Sequence, residues 1–125
     1  MPRRVITDGI SWGPYSPAVV AGNFCFVSGQ APIDRETNKP VGTGDIAVET
    51  RKTLQNLEAV LEAAGFSLAD VVKVNCYLRD WGEWDRMNAV YAEFFPSEPP
   101  ARCTVEVGKM APGMNIEIDC IAYRE

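Results

Sequence analysis

Apolar side chains occupy both faces of the strand-like segments in this chain, and no other feature limits its fold so tightly. Phe24 and Phe26 alternate with Cys25 and Val27, while Ile116 and Ile118 oppose Ile121 and Tyr123. A strand that is apolar on both sides must be covered on both. Helical spacing is found in only two segments, and two amphipathic helices cover one face of a sheet. The second face is therefore expected to bury itself against other copies of the same chain.

Pattern and punctuation order the elements. Ala18 to Ala21 and Phe24 to Ser28 read as strands joined by the two-residue turn Gly22-Asn23. Asp34 to Gly44, rich in Asp, Asn, Pro and Gly, reads as a loop, after which Asp45 can cap a helix. Leu54, Leu57, Leu61 and Ala64 form the apolar stripe of that helix, and Gly65 stops it. Val71 to Leu78 alternates, with Val72, Val74, Cys76 and Leu78 expected on one face and Val71, Lys73, Asn75 and Tyr77 on the other. Asp80 can cap a second helix carrying Trp84, Met87, Tyr91 and Phe94, which Pro96 and Pro99-Pro100 terminate. Arg102 to Gly108 and Asn115 to Tyr123 read as the last two strands, paired as an antiparallel hairpin around Met110-Ala111-Pro112-Gly113. A short strand near Arg4 to Thr7 opens the chain. The pattern implies an α+β fold, a single sheet with two helices packed on one face, in one domain spanning residues 1–125.

Composition narrows the chemistry. The 125 residues contain no histidine, the usual general base near neutral pH and the commonest transition-metal ligand. Ser-His-Asp triads, Cys-His nucleophiles and HExxH zinc sites are thereby excluded. The four cysteines, Cys25, Cys76, Cys103 and Cys120, show no C-x-x-C spacing and each lies in an apolar strand-like stretch. They read as reduced packing residues of a cytoplasmic protein. Twelve basic against seventeen acidic residues give a net charge of −5, with no basic run longer than a pair, so nucleic acid and anionic membranes are poor partners. Gly9 to Ile33 carries no charge, but Gly13, Pro14, Pro17, Gly22, Gly29 and Pro32 break it well short of a membrane span. Asp8 follows Arg3-Arg4 too closely for a signal peptide to be expected.

Chemistry must then come from Arg, carboxylates, Tyr, amides or water. Arg102 begins a strand after the rigid Pro99-Pro100-Ala101 approach, where a guanidinium fork can meet a planar carboxylate or simply stand in solvent. Glu117 and Asp119 share one face of the last strand, either as an acid-base pair or as a solvated face. Gly13-Pro14-Tyr15 and Ser28-Gly29-Gln30 can line a pocket or merely bracket strands.

Five segments in order, Gly13-Pro14-Tyr15-Ser16, Phe26-Val27-Ser28-Gly29-Gln30-Ala31-Pro32, Asn88-Ala89-Val90-Tyr91-Ala92-Glu93-Phe94-Phe95, Pro100-Ala101-Arg102-Cys103-Thr104-Val105-Glu106-Val107 and Ile116-Glu117-Ile118, resemble the Rid family. These are the YjgF-like reactive intermediate deaminases, and the resemblance covers nearly the whole chain. It implies a chorismate-mutase-like fold, a homotrimer with clefts between subunits, and hydrolysis of 2-imino acids, formed from 2-enamino acids such as 2-aminoacrylate or 2-aminocrotonate, to 2-keto acids and ammonia. It implies further that Arg102 clamps the substrate carboxylate with help from the backbone N–H groups of Gly29 and Thr104. Glu117 then positions or activates water, and Tyr15, Ser28 and Asn88 line the pocket. No metal, cofactor or disulfide is expected to take part. Trp12 stands where a smaller aliphatic residue is usual, Trp81 and Trp84 enlarge the second helix, and Asp34-Arg35-Glu36-Thr37-Asn38 replaces an Asp-Pro-x-Thr-Gly turn; these departures bear on the substrate, not the reaction class. The competing readings are a pathway-specific deaminase of the 2-aminomuconate type and a non-catalytic metabolite-binding or chaperone-like trimer.

Overall fold

The computed structural model describes residues 3–42 and 44–125; Met1, Pro2 and Thr43, the last within the expected loop, lie outside them. Six strands form one mixed sheet in the order β1-β2-β3-β6-β4-β5: β1 Arg4–Ile6, β2 Ala18–Ala21, β3 Phe24–Gln30, β4 Val71–Leu78, β5 Ala101–Glu106 and β6 Ile116–Tyr123. Two helices, α1 Ile46–Ala63 and α2 Trp84–Phe94, pack on one face.

The local signals act as their chemistry requires. Gly22, at φ 59°, takes the left-handed position in the β2–β3 turn, where a side chain would be strained. Asp45 accepts from the backbone N–H groups of Ala47 and Val48 at the start of α1. At the other end the Phe66 N–H reaches the Leu61 carbonyl at 2.9 Å and the Gly65 N–H reaches Glu62 at 3.0 Å. Those two bonds define a Schellman stop, and it needs the φ of +87° that Gly65 supplies. Leu54, Leu57, Val60 and Leu61 of α1, with Met87 of α2, bury themselves against Val74, Cys76, Leu78, Ile116, Ile118 and Cys120 of the sheet.

Three expectations are corrected. The last two strands do not pair: β4 lies between them, antiparallel to β6 and parallel to β5. The β4–α2–β5 segment is long enough for a helical crossover, which makes β5 a parallel edge strand and leaves the doubly apolar β6 in the middle. The faces of β4 also shift at its start. A bulge between Val71 and Lys73 turns Val71 inward, 7% exposed, and Val72 outward, 46% exposed. Finally, Asp80 accepts from the Gly82 N–H and caps a single 3₁₀ turn, Trp81–Glu83, that leads into α2 rather than capping α2 itself.

The uncovered face of the sheet is the apolar one foreseen from the alternation. Phe24, Phe26, Val72, Val105 and Tyr123 are all exposed on it, with the Phe24 and Tyr123 rings 5.0 Å apart. Cys25, Cys76 and Cys120 are buried and burial raises each thiol pKa, that of Cys76 to about 11; Cys103 is exposed, and all four are free. Among the described residues no helix is long and apolar enough to cross a membrane.

Candidate active site

The expected site residues fall into two groups on opposite sides of the sheet. In the first, Tyr15, Gly29 and Glu117 border one pocket where β3 ends and β6 begins. Glu117 lies on the uncovered face because Ile116 and Ile118 take the inward positions. Burial, and secondarily the negative charge of Asp119, push its carboxyl above the usual range. Asp119 is itself occupied, accepting from Asn75 Nδ2 at 2.9 Å and from the Tyr77 hydroxyl at 3.0 Å.

Gly29 is there for space. A Cβ built on it would overlap the Glu117 carboxylate. Because the obstructing group is the end of a flexible side chain, Gly29→Ala is expected to fold normally while the carboxylate swings out of the pocket. Activity at least about tenfold below wild type, with an unchanged melting temperature, is the expected result; full activity would show that the carboxylate need not sit there.

Tyr15 and Trp12 form the exposed rim of this pocket, each 48% exposed. The Trp12 indole Nε1 donates to Asn38 Oδ1 at 2.9 Å, and Asn38 takes a φ of +62°, so the departure at Trp12 and the altered loop are one structural feature. Ser28 does not border the pocket; its hydroxyl donates to the Ser16 carbonyl at 2.6 Å and anchors the segment that carries Tyr15.

In the second group, Arg102 and Thr104 point toward α2, on the face opposite to Glu117. Their register partners on β4, Val74 and Cys76, are wholly buried beneath the helices. The Arg102 guanidinium carbon lies 5.0 Å from the Trp84 ring centre and 4.7 Å from that of Tyr91. Thr104 Oγ1, Asn88 Oδ1 and the Tyr91 hydroxyl are buried there without a hydrogen-bond partner. Burial raises the Tyr91 pKa to about 12. The hairpin expected from the sequence would have set Arg102 beside Glu117; the intervening β4 and the opposite facing separate them within one chain.

Two supports went unrecognised in the sequence. Glu49, fully buried on α1, accepts from the Gly44 N–H and from both the backbone and side-chain N–H of Asn115, fixing the entry to β6 two residues before Glu117. Asn56 Nδ2 donates to the carbonyls of Ala31 and Ile33 and holds the opposite pocket wall. A buried polar residue in an otherwise apolar helical stripe is the signal that marks both. Among the described residues no group of three or more Cys, Asp or Glu side chains is placed to hold a metal.

A mixed sheet with both helices on one face and an uncovered apolar face place the chain in the YjgF-like fold class. The chain belongs to the Endoribonuclease L-PSP family, whose model matches residues 7–124. It is 52% identical over 113 residues to a RutC family protein of Pyrococcus horikoshii, covering 90% of this chain and 89% of that one. It is 46% identical over 126 residues to the 3-aminoacrylate deaminase RutC of Acinetobacter baylyi, covering 98% and 99%. The crystal structure of the YjgF gene product of E. coli superimposes with a TM-score of 0.89 at 34% identity, covering 98% of this chain and 99% of that one.

Proposed function

We propose that this protein hydrolyses 2-imino acids, the tautomers of small 2-enamino acids, to 2-keto acids and ammonia in clefts between subunits of a homotrimer. The observation that carries the reading is the separation of Arg102 and Glu117 onto opposite faces of one sheet. A carboxylate fork and a poised carboxyl meet across one substrate only if a second copy supplies one of them. The uncovered apolar face offers the surface for such an assembly, and the deaminase activity of the Acinetobacter relative points to the same enamine chemistry. The net charge of −5 speaks against RNA as the natural ligand.

The chemistry needs little from the protein. A protonated imine carbon is already electrophilic, so catalysis reduces to orientation and one proton relay. Arg102 holds the substrate carboxylate. Glu117 takes a proton from water as the C–O bond forms, giving a carbinolamine, then returns that proton to the nitrogen. The C–N bond breaks, and the hydroxyl proton leaves with the ammonia as ammonium. A carboxyl whose pKa is raised by burial is suited to both halves of this relay.

Mixing two impaired variants tests the split site. Arg102→Ala and Glu117→Gln trimers, unfolded together and refolded at equal amounts, are expected to recover about one quarter of wild-type activity, because random assembly around a ring leaves both residues native in about one site of four. If each site were built within one chain, mixing would recover nothing beyond the residual activity of the two variants.

A further inference from the structure

Arg102 is held in an unusual way for a cation in a protein. Among the described residues its side chain makes no ion pair, while Arg35, Arg51, Arg86 and Arg124 all have acidic partners. It lies instead between two aromatic faces. Trp84 and Tyr91 are seven residues apart on α2, two helical turns, so their backbone positions are about 10 Å apart along the axis. The guanidinium carbon lies over both rings, at 5.0 Å from one centre and 4.7 Å from the other.

The stack continues on both sides. Trp81 lies on Trp84 at 4.7 Å with the ring planes 25° apart, and Phe95 packs on Tyr91 at 4.8 Å. Trp81 is fixed in turn, since its backbone N–H donates to Glu106 Oε1 at 2.7 Å. Glu106 is thereby occupied at the far end of β5.

From this arrangement we infer that Trp84 and Tyr91 are positioning residues for ligand binding: they hold the Arg102 guanidinium by its two faces, so that its in-plane N–H donors stay free for a planar carboxylate. The inference rests on the proposed role of Arg102 as the carboxylate clamp. A hydrogen-bonded or ion-paired arginine would have to break those contacts before accepting a ligand, whereas a stacked one keeps its fork preorganised. The partly exposed Trp84 is the better position to test, because Tyr91 belongs to the core.

The experiment compares Trp84→Leu with Trp84→Phe. Binding of 2-oxobutanoate is measured by calorimetry, and KM and kcat are measured on 2-iminobutanoate generated in situ by a dehydratase. Trp84→Leu keeps apolar bulk but removes the ring, and is expected to raise both Kd and KM about tenfold while leaving kcat within about twofold. Trp84→Phe restores a π face and should return both to within about threefold of wild type. A merely structural role would lower kcat or the melting temperature without this split. Should Trp84→Leu fail to assemble, Trp84→Met makes the same comparison.

An unchanged Kd in Trp84→Leu, where Arg102→Ala abolishes binding, would overturn the inference and leave the hydrolase reading intact. Wild-type binding with the expected Trp84 effect but no imine hydrolysis would uphold the inference and remove the hydrolase reading. Absence of keto-acid binding by the wild type would overturn the inference at its premise.

Discussion

Arg102→Ala is expected to lower kcat/KM on 2-iminobutanoate by about ten- to a hundredfold, the range that follows from losing hydrogen bonds to a charged group at about 1.5–3 kcal/mol. Loss of binding is expected to dominate, raising KM and abolishing detectable binding of 2-oxobutanoate. The fold should survive. Arg102 pairs with no acid among the described residues and its strand is an edge, so removing the side chain leaves no buried charge uncompensated. Lysine should recover only part of the loss, because an ammonium fills the slot between Trp84 and Tyr91 as a point charge and lacks the planar fork. A folded Arg102→Ala variant with wild-type turnover and binding would take Arg102 out of the site.

How much of this was legible in the sequence depends on the range of the interactions. Turn and cap chemistry is local, so the Gly22-Asn23 hairpin, the Asp45 cap and the Gly65 stop could be read directly. Alternation is local too, and it foretold that the helices would leave one apolar face uncovered, the face on which Phe24 and Phe26 stand. Strand order is not local. The turn at Met110–Gly113 resembles a hairpin connection, and nothing within it reveals that β4 inserts between β5 and β6. The bulge at Val71–Lys73 escaped for the same reason, since a shift in register is set by the partner strand.

The candidate site shows the same division. Motif resemblance selected Tyr15, Gly29 and Glu117, which border one pocket, and Arg102, Thr104 and Asn88, which gather against α2. It did not reveal that the two groups lie on opposite faces of the sheet. Glu49 and Asn56 show in the sequence only as polar residues within the apolar stripe of α1, while the groups they bond just before β6 and beyond β3 are not marked there.

Glu117→Gln is expected to separate catalysis from binding and from stability in a single variant. The amide keeps the shape of the side chain but cannot take a proton from water, so kcat should fall by about 10²–10⁴-fold, the usual contribution of a positioned acid-base group. Binding of 2-oxobutanoate should persist, because Arg102 and its aromatic neighbours lie on the other side of the sheet and are untouched. The pH profile of the wild type should report the same group. Burial and Asp119 raise the Glu117 pKa, so kcat should decline with falling pH from a point above the ordinary glutamate value of about 4.3. The sign for stability is opposite. A carboxyl with a raised pKa in the folded state holds its proton where the unfolded chain has lost it, so stability falls as pH rises from the unfolded value through the folded one. Above its folded-state value the ionised Glu117 is thus a burden on the fold, and Glu117→Gln should there melt at or above the wild-type temperature, with the difference vanishing below the unfolded value of about 4.3. An inactive variant that binds keto acid and is no less stable than the wild type is the mark of a residue kept for chemistry at some cost to stability. Wild-type kcat in the glutamine variant would instead reduce Glu117 to a charge on a strand face, and keto-acid binding through Arg102 would then define a binding protein.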